Sequence, residues 1–220
     1  MASETVTPIR VKICGLSTEA TLTTALEAGA DWIGLVHFPR SPRHVALARA
    51  AALSDLARGR AERVLLLVDP DDALVAAAVG AVDPDLIQLH GHESPERVAA
   101  IRARTGRPVM KALGIASRAD LAALPAYAAV ADRILLDAKA PPDAILPGGN
   151  GRRFDWEILR GVELPSGTML SGGLDAANVA EALTRTGLGA VDVSSGVESA
   201  PGTKDPDRIV AFLAAARAAR

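Results

Sequence analysis

The chain has 220 residues, 49% apolar, 23% charged and 3% aromatic, with 24 Lys and Arg against 26 Asp and Glu for a formal charge of −2. That length suits one sizeable core built from Ala, Val, Leu and Ile. The near-balanced charge, with no basic block, excludes a broad nucleic-acid surface but leaves room for a local anion site. A single cysteine closes no intramolecular disulfide, no Cys/His cluster has zinc-ligand spacing, and no run of about 18 apolar residues occurs. The expectation is a cytoplasmic protein with no membrane span, no nucleic-acid partner and no metal, folded as one domain over residues 1–220 with its core at about 9–217.

Along the chain, short apolar runs alternate with longer amphipathic ones. Ile9–Cys14, Trp32–Val36, Val64–Val68, Leu86–Leu89, Val109–Leu113, Ile134–Leu136, Thr168–Leu170 and Ala190–Val193 read as strands. Their starts lie mostly about 20 to 35 residues apart, the length of one βα unit. They are continuously apolar rather than alternating, which predicts a parallel sheet covered by helices. Gly15 lets the chain turn after the first strand, and Ser17 or Thr18 then caps a helix. Ser94-Pro95 opens another helix with Val98 and Ile101 on one face. Asp175 is expected to cap a segment striped by Ala176, Val179, Ala180 and Leu183. Asp205-Pro206 opens the last helix, striped by Ile209, Phe212, Leu213 and Ala216. Eight strands and about eight helices in alternation predict an α/β fold, a single-domain (β/α)8 TIM barrel, with an open doubly wound sheet as the alternative. The long irregular stretch Lys139–Arg153, with Pro141-Pro142 and Pro147-Gly148-Gly149-Asn150-Gly151, would follow the sixth strand at the barrel mouth.

In a barrel, polar residues at the C-terminal ends of strands face the active site. Strand one offers Cys14, with Lys12 on the same side by alternation. The loop after strand two carries Arg43. Strand four ends in Gln88 and His90, strand five carries Lys111, and strand six ends at Asp137. Each has a plainer reading: Cys14 as core packing, Arg43 as surface charge, His90 as a structural hydrogen bonder, Asp137 paired with Lys139 or capping a turn. Gly172-Gly173 and Ser195-Gly196 follow strands seven and eight, where barrels hold phosphate on backbone N–H groups. A cysteine and an aspartate from different strands suggest proton transfer, one taking a proton from carbon while the other gives one to oxygen. Cys14 would need positive surroundings to act as a thiolate, and Lys12 is the nearest candidate.

Taken together, these segments resemble the phosphoribosylanthranilate isomerase family of tryptophan biosynthesis. The matching stretches are KICGLST at Lys12–Thr18, SPRHV at Ser41–Val45, QLHGHE at Gln88–Glu93, LLDAK at Leu135–Lys139, GGNGRRFDW at Gly148–Trp156, LSGGLDAANV at Leu170–Val179 and VDVSSGVESAPGTKD at Val191–Asp205. The resemblance implies a (β/α)8 barrel and an Amadori rearrangement of N-(5-phosphoribosyl)anthranilate, a small-molecule substrate, without a cofactor. It implies Cys14 as general base and Asp137 as general acid, with Arg43 binding the anthranilate carboxylate. Gly172, Gly173, Ser195 and Gly196 would bind phosphate, with Gly149 and Gly151 in the family's loop after strand six; the strand positions add Lys12, Gln88 and His90 as expected substrate contacts. It leaves monomer or homodimer open. His37 before Phe38, and Asp69 where Asn is more usual, depart from the family's pattern. The rival readings are the histidine-pathway isomerase, which typically has aspartate at the Cys14 position, indole-glycerol-phosphate synthase, and a catalytically silent phosphate-binding barrel.

Overall fold

A computed structural model of the chain describes residues 8–141, 146, 148, 149 and 151–219. Pro142, Pro147 and Asn150 of the loop after the sixth strand lie outside the described residues, as do the chain ends.

Eight parallel strands close into a barrel in chain order: β1 (Arg10–Cys14), β2 (Trp32–Val36), β3 (Glu62–Leu67), β4 (Leu86–Leu89), β5 (Val109–Ile115), β6 (Arg133–Ala138), β7 (Met169–Leu170) and β8 (Ala190–Val193). The predicted strands are all present and the closed barrel, not the open sheet, is the architecture. Closure comes from β1 against β8, with Lys12 in register with Asp192. Apart from Gly114 in β5 and some strand ends, the strands are buried on both faces, the inner one in the barrel and the outer one under helices, which accounts for their continuous apolarity. Trp32, Val64, Leu86, Met110, Leu135, Met169 and Ala190 fill the barrel's lower interior. A larger shell joins the outward strand residues to the helices.

The helices are α1 (Glu19–Glu27), α2 (Leu47–Ala57), α3 (Asp72–Val82), α4 (Pro95–Thr105), α5 (Leu124–Ala128), α6 (Val179–Thr186) and α7 (Pro206–Arg217). Thr18 caps α1, Ser94 caps α4 ahead of Pro95, and Asp205 caps α7 by accepting from the N–H groups of Asp207 and Arg208. The expected stripe on α7 is buried as predicted.

Two expectations are corrected. Among the described residues no α-helix joins β6 to β7, where a 3-10 turn at Trp156–Leu159 stands instead. The Asp175 segment begins later than predicted: Asp175 accepts from the N–H groups of Ala177 and Asn178 in a turn, and α6 starts at Val179. Its buried face is Val179, Ala182 and Leu183, while Ala176 and Ala180 are exposed. After β8 the chain forms a short hairpin, β9 (Glu198–Ala200) with β10 (Thr203–Lys204), over the barrel mouth. The fold thus opens a mouth ringed by the ends of all eight strands.

Candidate active site

The mouth holds a cleft of about 750 Å³, counting the space open to solvent, lined by Cys14, Arg43, Gln88, His90, Asp137, Gly149, Gly151, Gly172, Gly173 and Ser195. These residues, scattered through the sequence, meet because each ends a strand or begins the following loop. Val36, Phe38, Leu66 and Val68 form an apolar wall along the same cleft.

Cys14 is buried at the end of β1. Alternation puts Lys12 on the same side one layer down, fully buried, where its Nζ donates to Asp192 Oδ1 at 2.8 Å. Ser171 Oγ donates to the other oxygen of Asp192 at 3.1 Å. Burial pushes the Cys14 thiol above its ordinary value, Lys12 pulls against that, Asp192 reinforces it, and Lys204 pulls down again. Burial alone would lower Lys12, but the charges of Asp192 and Cys14 hold it above the ordinary lysine value. The positive surroundings expected of Lys12 are therefore largely matched by Asp192. Lys12 lies beneath the cleft rather than on its wall.

Asp137 ends β6, nearly opposite β1 in the strand order. One of its oxygens accepts from the Ala138 N–H at 2.8 Å, and the other stands 3.2 Å from His90 Nε2. Gln88 Nε2 lies 3.1 Å from His90 Nδ1; with the amide donating, the ring hydrogen sits on Nε2 and faces Asp137. Lys139 pairs with Asp120, not with Asp137. Gly148 lies against this pair so closely that a Cβ there would come within 2.5 Å of both Asp137 Oδ2 and His90 Nε2.

Arg43 is buried rather than a solvated surface charge. Its Nε and Nη2 bond the two oxygens of Glu198 at 2.7 and 2.9 Å, and Nη2 also reaches the Gly149 carbonyl at 3.1 Å. Lys204 Nζ donates to the same Glu198 at 2.7 Å and to the Ser194 carbonyl at 2.8 Å. Burial pushes the Glu198 carboxyl up, yet the bond from Arg43 and the charge of Lys204 hold it below the ordinary range.

Gly172 and Gly173 have φ of +92° and +61°, a region that disfavours any other residue. A Cβ on Gly172 would strike the Ala138 backbone, and one on Gly173 the Arg152 carbonyl. Ser195 opens a 3-10 turn, Ser195–Val197, at the end of β8. Gly196 is not on the cleft wall; it packs on the Leu174 carbonyl and so locks the seventh loop to the eighth. These backbones edge the cleft near Arg152 and are suited to an anion.

Lys111 is corrected: it points outward from β5, away from the cleft, where its Nζ pairs with Glu93 and the Gly91 carbonyl at 2.7 Å each. Sequence reasoning missed Gly148, Asp192, Glu198 and Lys204. Asp192 carried a readable signal, a charge inside an otherwise apolar strand. His37 turns from the cleft to Val45 and His44, leaving Phe38 on the wall. Asp69 adopts φ +44° and accepts from the His92 N–H, a conformation that Asp shares with Asn at low cost.

The family model described as N-(5'-phosphoribosyl)anthranilate (PRA) isomerase matches residues 11–215. An N-(5'-phosphoribosyl)anthranilate isomerase of Azorhizobium caulinodans is 67% identical over 211 residues, 96% of this chain and 92% of that protein. The crystal structure of phosphoribosyl anthranilate isomerase from Thermotoga maritima superposes with a TM-score of 0.86 at 34% identity, covering 96% of this chain and 99% of that one. A crystal structure of phosphoribosyl anthranilate isomerase in complex with reduced 1-(o-carboxyphenylamino)-1-deoxyribulose 5-phosphate gives 0.83 at 32% over the same shares. The chain belongs to the N-(5'-phosphoribosyl)anthranilate isomerase family.

Proposed function

We propose that the barrel performs the Amadori rearrangement of N-(5'-phosphoribosyl)anthranilate with Cys14 as general base and Asp137 as general acid. Isomerase activity in tryptophan biosynthesis follows from membership of the family. The roles rest on one observation: Cys14 and Asp137 line one cleft from nearly opposite strands, with Arg43 and the glycine loops on the same rim.

Asp137 hands a proton to the ribose ring oxygen, breaking the C1′–O bond and leaving a C1′ iminium. Cys14 then removes the C2′ proton, and the electron pair neutralises the iminium to an enolamine. Loss of the C2′ hydroxyl proton and protonation at C1′ give the ketone. The iminium is its own electron sink, so the sequence needs no cofactor. His90, oriented by Gln88, holds Asp137 in place. The substrate is anionic at both ends: Arg43 takes the carboxylate, Gly172, Gly173 and Ser195 take the phosphate, and the wall of Val36, Phe38, Leu66 and Val68 receives the ring. Residues 1–220 act as one catalytic domain in the cytoplasm; among the described residues no helix is long and apolar enough to cross a membrane.

The test is turnover of freshly made substrate, followed by the loss of its fluorescence. Asp137→Asn is expected to lower kcat by roughly a hundredfold or more with the circular dichroism of the wild type. A near-wild-type kcat in that variant removes Asp137 from the mechanism.

A further inference from the structure

Arg43 is the cation that the reading above gives to the substrate carboxylate, yet another carboxylate already holds it. Of its five N–H donors, three are committed, to both oxygens of Glu198 and to the Gly149 carbonyl. The edge left over is Nη1, which has no acceptor among the described residues. It lies against Gly149, where a Cβ would come within 2.6 Å of it. On the other side a Cβ at Gly15 would come within 2.8 Å of Arg43 Cδ. The guanidinium is therefore fixed in plane and direction, with one edge turned to the cleft.

The anchor is itself anchored. Glu198 is buried in the hairpin after β8, and its Oε1 accepts from both Arg43 Nε and Lys204 Nζ at 2.7 Å. Its Oε2 accepts from Arg43 Nη2 and from the Gly202 N–H at 3.3 Å. Lys204, also buried, bonds the carbonyl of Ser194 at 2.8 Å and its hydroxyl at 3.3 Å. Ser194 Oγ donates to the Cys14 carbonyl at 3.2 Å. A continuous chain of bonds thus runs from Arg43 through Glu198 and Lys204 to the start of the Ser194-Ser195-Gly196 loop. Two cations share one anion, so the cluster keeps one uncompensated positive charge for a ligand.

We propose that Glu198 is a positioning residue for carboxylate recognition, holding Arg43 so that its Nη1 edge meets the substrate carboxylate and tying that end of the site, through Lys204, to the loop that receives phosphate. The proposal rests on Arg43 being the carboxylate's partner. A flexible, unanchored arginine would have to be ordered at each binding event, and the anchor removes that cost beforehand. Glutamine in place of Glu198 has the same shape but keeps one acceptor oxygen: whichever way the amide turns, its NH2 faces either Nε or Nη2 of Arg43, so the two-point hold on the guanidinium is lost.

The experiment compares binding of reduced 1-(o-carboxyphenylamino)-1-deoxyribulose 5-phosphate with binding of its counterpart lacking the carboxylate, by calorimetry, to wild type, Arg43→Ala, Glu198→Gln and the double variant. Glu198→Gln is expected to weaken the carboxylated ligand by about tenfold and the other by no more than about twofold. The double variant is expected to bind no more weakly than Arg43→Ala, and KM is expected to rise by a larger factor than kcat falls. Glu198→Gln that weakens both ligands alike, or neither, while Arg43→Ala discriminates between them, overturns the positioning role. If Arg43→Ala does not discriminate, it is the assignment of Arg43 that fails, and this role with it. Should Glu198→Gln not fold, Glu198→Asp keeps the charge and retracts it by one methylene. Selective loss of the carboxylated ligand then supports the role, and equal loss of both overturns it.

Discussion

At the scale of single residues, the proposed chemistry turns on how Cys14 would become a base. Burial raises its thiol, and Lys12, close enough to oppose that, has its charge matched by Asp192. The free protein therefore holds the thiol protonated through the neutral range, and the thiolate grows only as the pH passes the raised value. A base works deprotonated, so kcat/KM is expected to rise with pH into the alkaline range with a slope of about one, levelling above the ordinary thiol value of about 8.5. Because Cys14 is the chain's one cysteine, ultraviolet absorbance of the thiolate follows it alone and should titrate at the same pH. Lys12→Met leaves Asp192 uncompensated beneath the thiol and should move both curves further upward; a curve that levels below the ordinary thiol value contradicts this. The residues proposed for the chemistry were legible as cleft residues because they stand at strand ends: Cys14, Asp137, His90 and the glycine loops need only the strand pattern to be placed. Glu198 and Lys204 were not legible. Glu198 meets Arg43 across 155 positions of sequence, and only because the hairpin after β8 folds back until Gly202 lies against Pro42.

At the scale of elements, consecutive βα loops are stapled together by a buried ion pair outside the cleft. Glu93 accepts from the Asp69 N–H after β3 at 2.9 Å, from the Gly91 N–H after β4 at 3.0 Å, and from Lys111 of β5 at 2.7 Å. The Tyr127 hydroxyl donates to its carbonyl at 3.0 Å. Removing one partner strands a buried charge, so Lys111→Met and Glu93→Gln are each expected to cost about 3–5 kcal/mol. Replacing both together, Lys111→Met with Glu93→Leu, should cost less than the sum of the singles, because no charge is left buried alone. Urea unfolding of the set measures this, and strict additivity would show that the two residues stabilise independently. The continuously apolar strands and the capped helices α4 and α7 were legible because each depends on neighbouring residues alone. The late start of α6 was not. Asn178 Oδ1 accepts from the Asp175 N–H and its Nδ2 donates to the Gly173 carbonyl, so the helix-opening residues are spent on shaping the seventh loop. Between β6 and β7, where a helix was expected, Asp155 caps a single 3-10 turn by accepting from the Glu157 N–H at 3.0 Å, and that turn buries Trp156 and Leu159.

For the molecule as a whole, the carboxylates held low by partners set its response to acid. The Arg63 bond holds Asp85 below the ordinary range, and the Lys139 bond holds Asp120 far below it. Glu198, which burial alone would raise, is kept low by Arg43 and Lys204. A carboxyl depressed in the fold binds protons more readily once unfolded. Its contribution is therefore complete above the unfolded value of about 4 and is lost as the pH falls through the folded one. The melting temperature is expected to be level above about pH 5 and to fall steeply below about pH 4. Asp85 and Asp120 are partly open to solvent, so their pairs are screened and yield gradually. Glu198 is different, because protonating it leaves Arg43 and Lys204 side by side with no counter-charge in the same buried place. It should therefore supply the steepest part of the limb. Glu198→Gln starts from a lower melting temperature, since it removes the counter-charge of two buried cations and turns an amide NH2 toward a donor of Arg43, but carries no proton uptake of its own. Its melting temperature should converge on that of the wild type as the pH falls towards about 3. Parallel curves for the two proteins, scanned by calorimetry across that range, would assign the acid limb to the surface pairs instead.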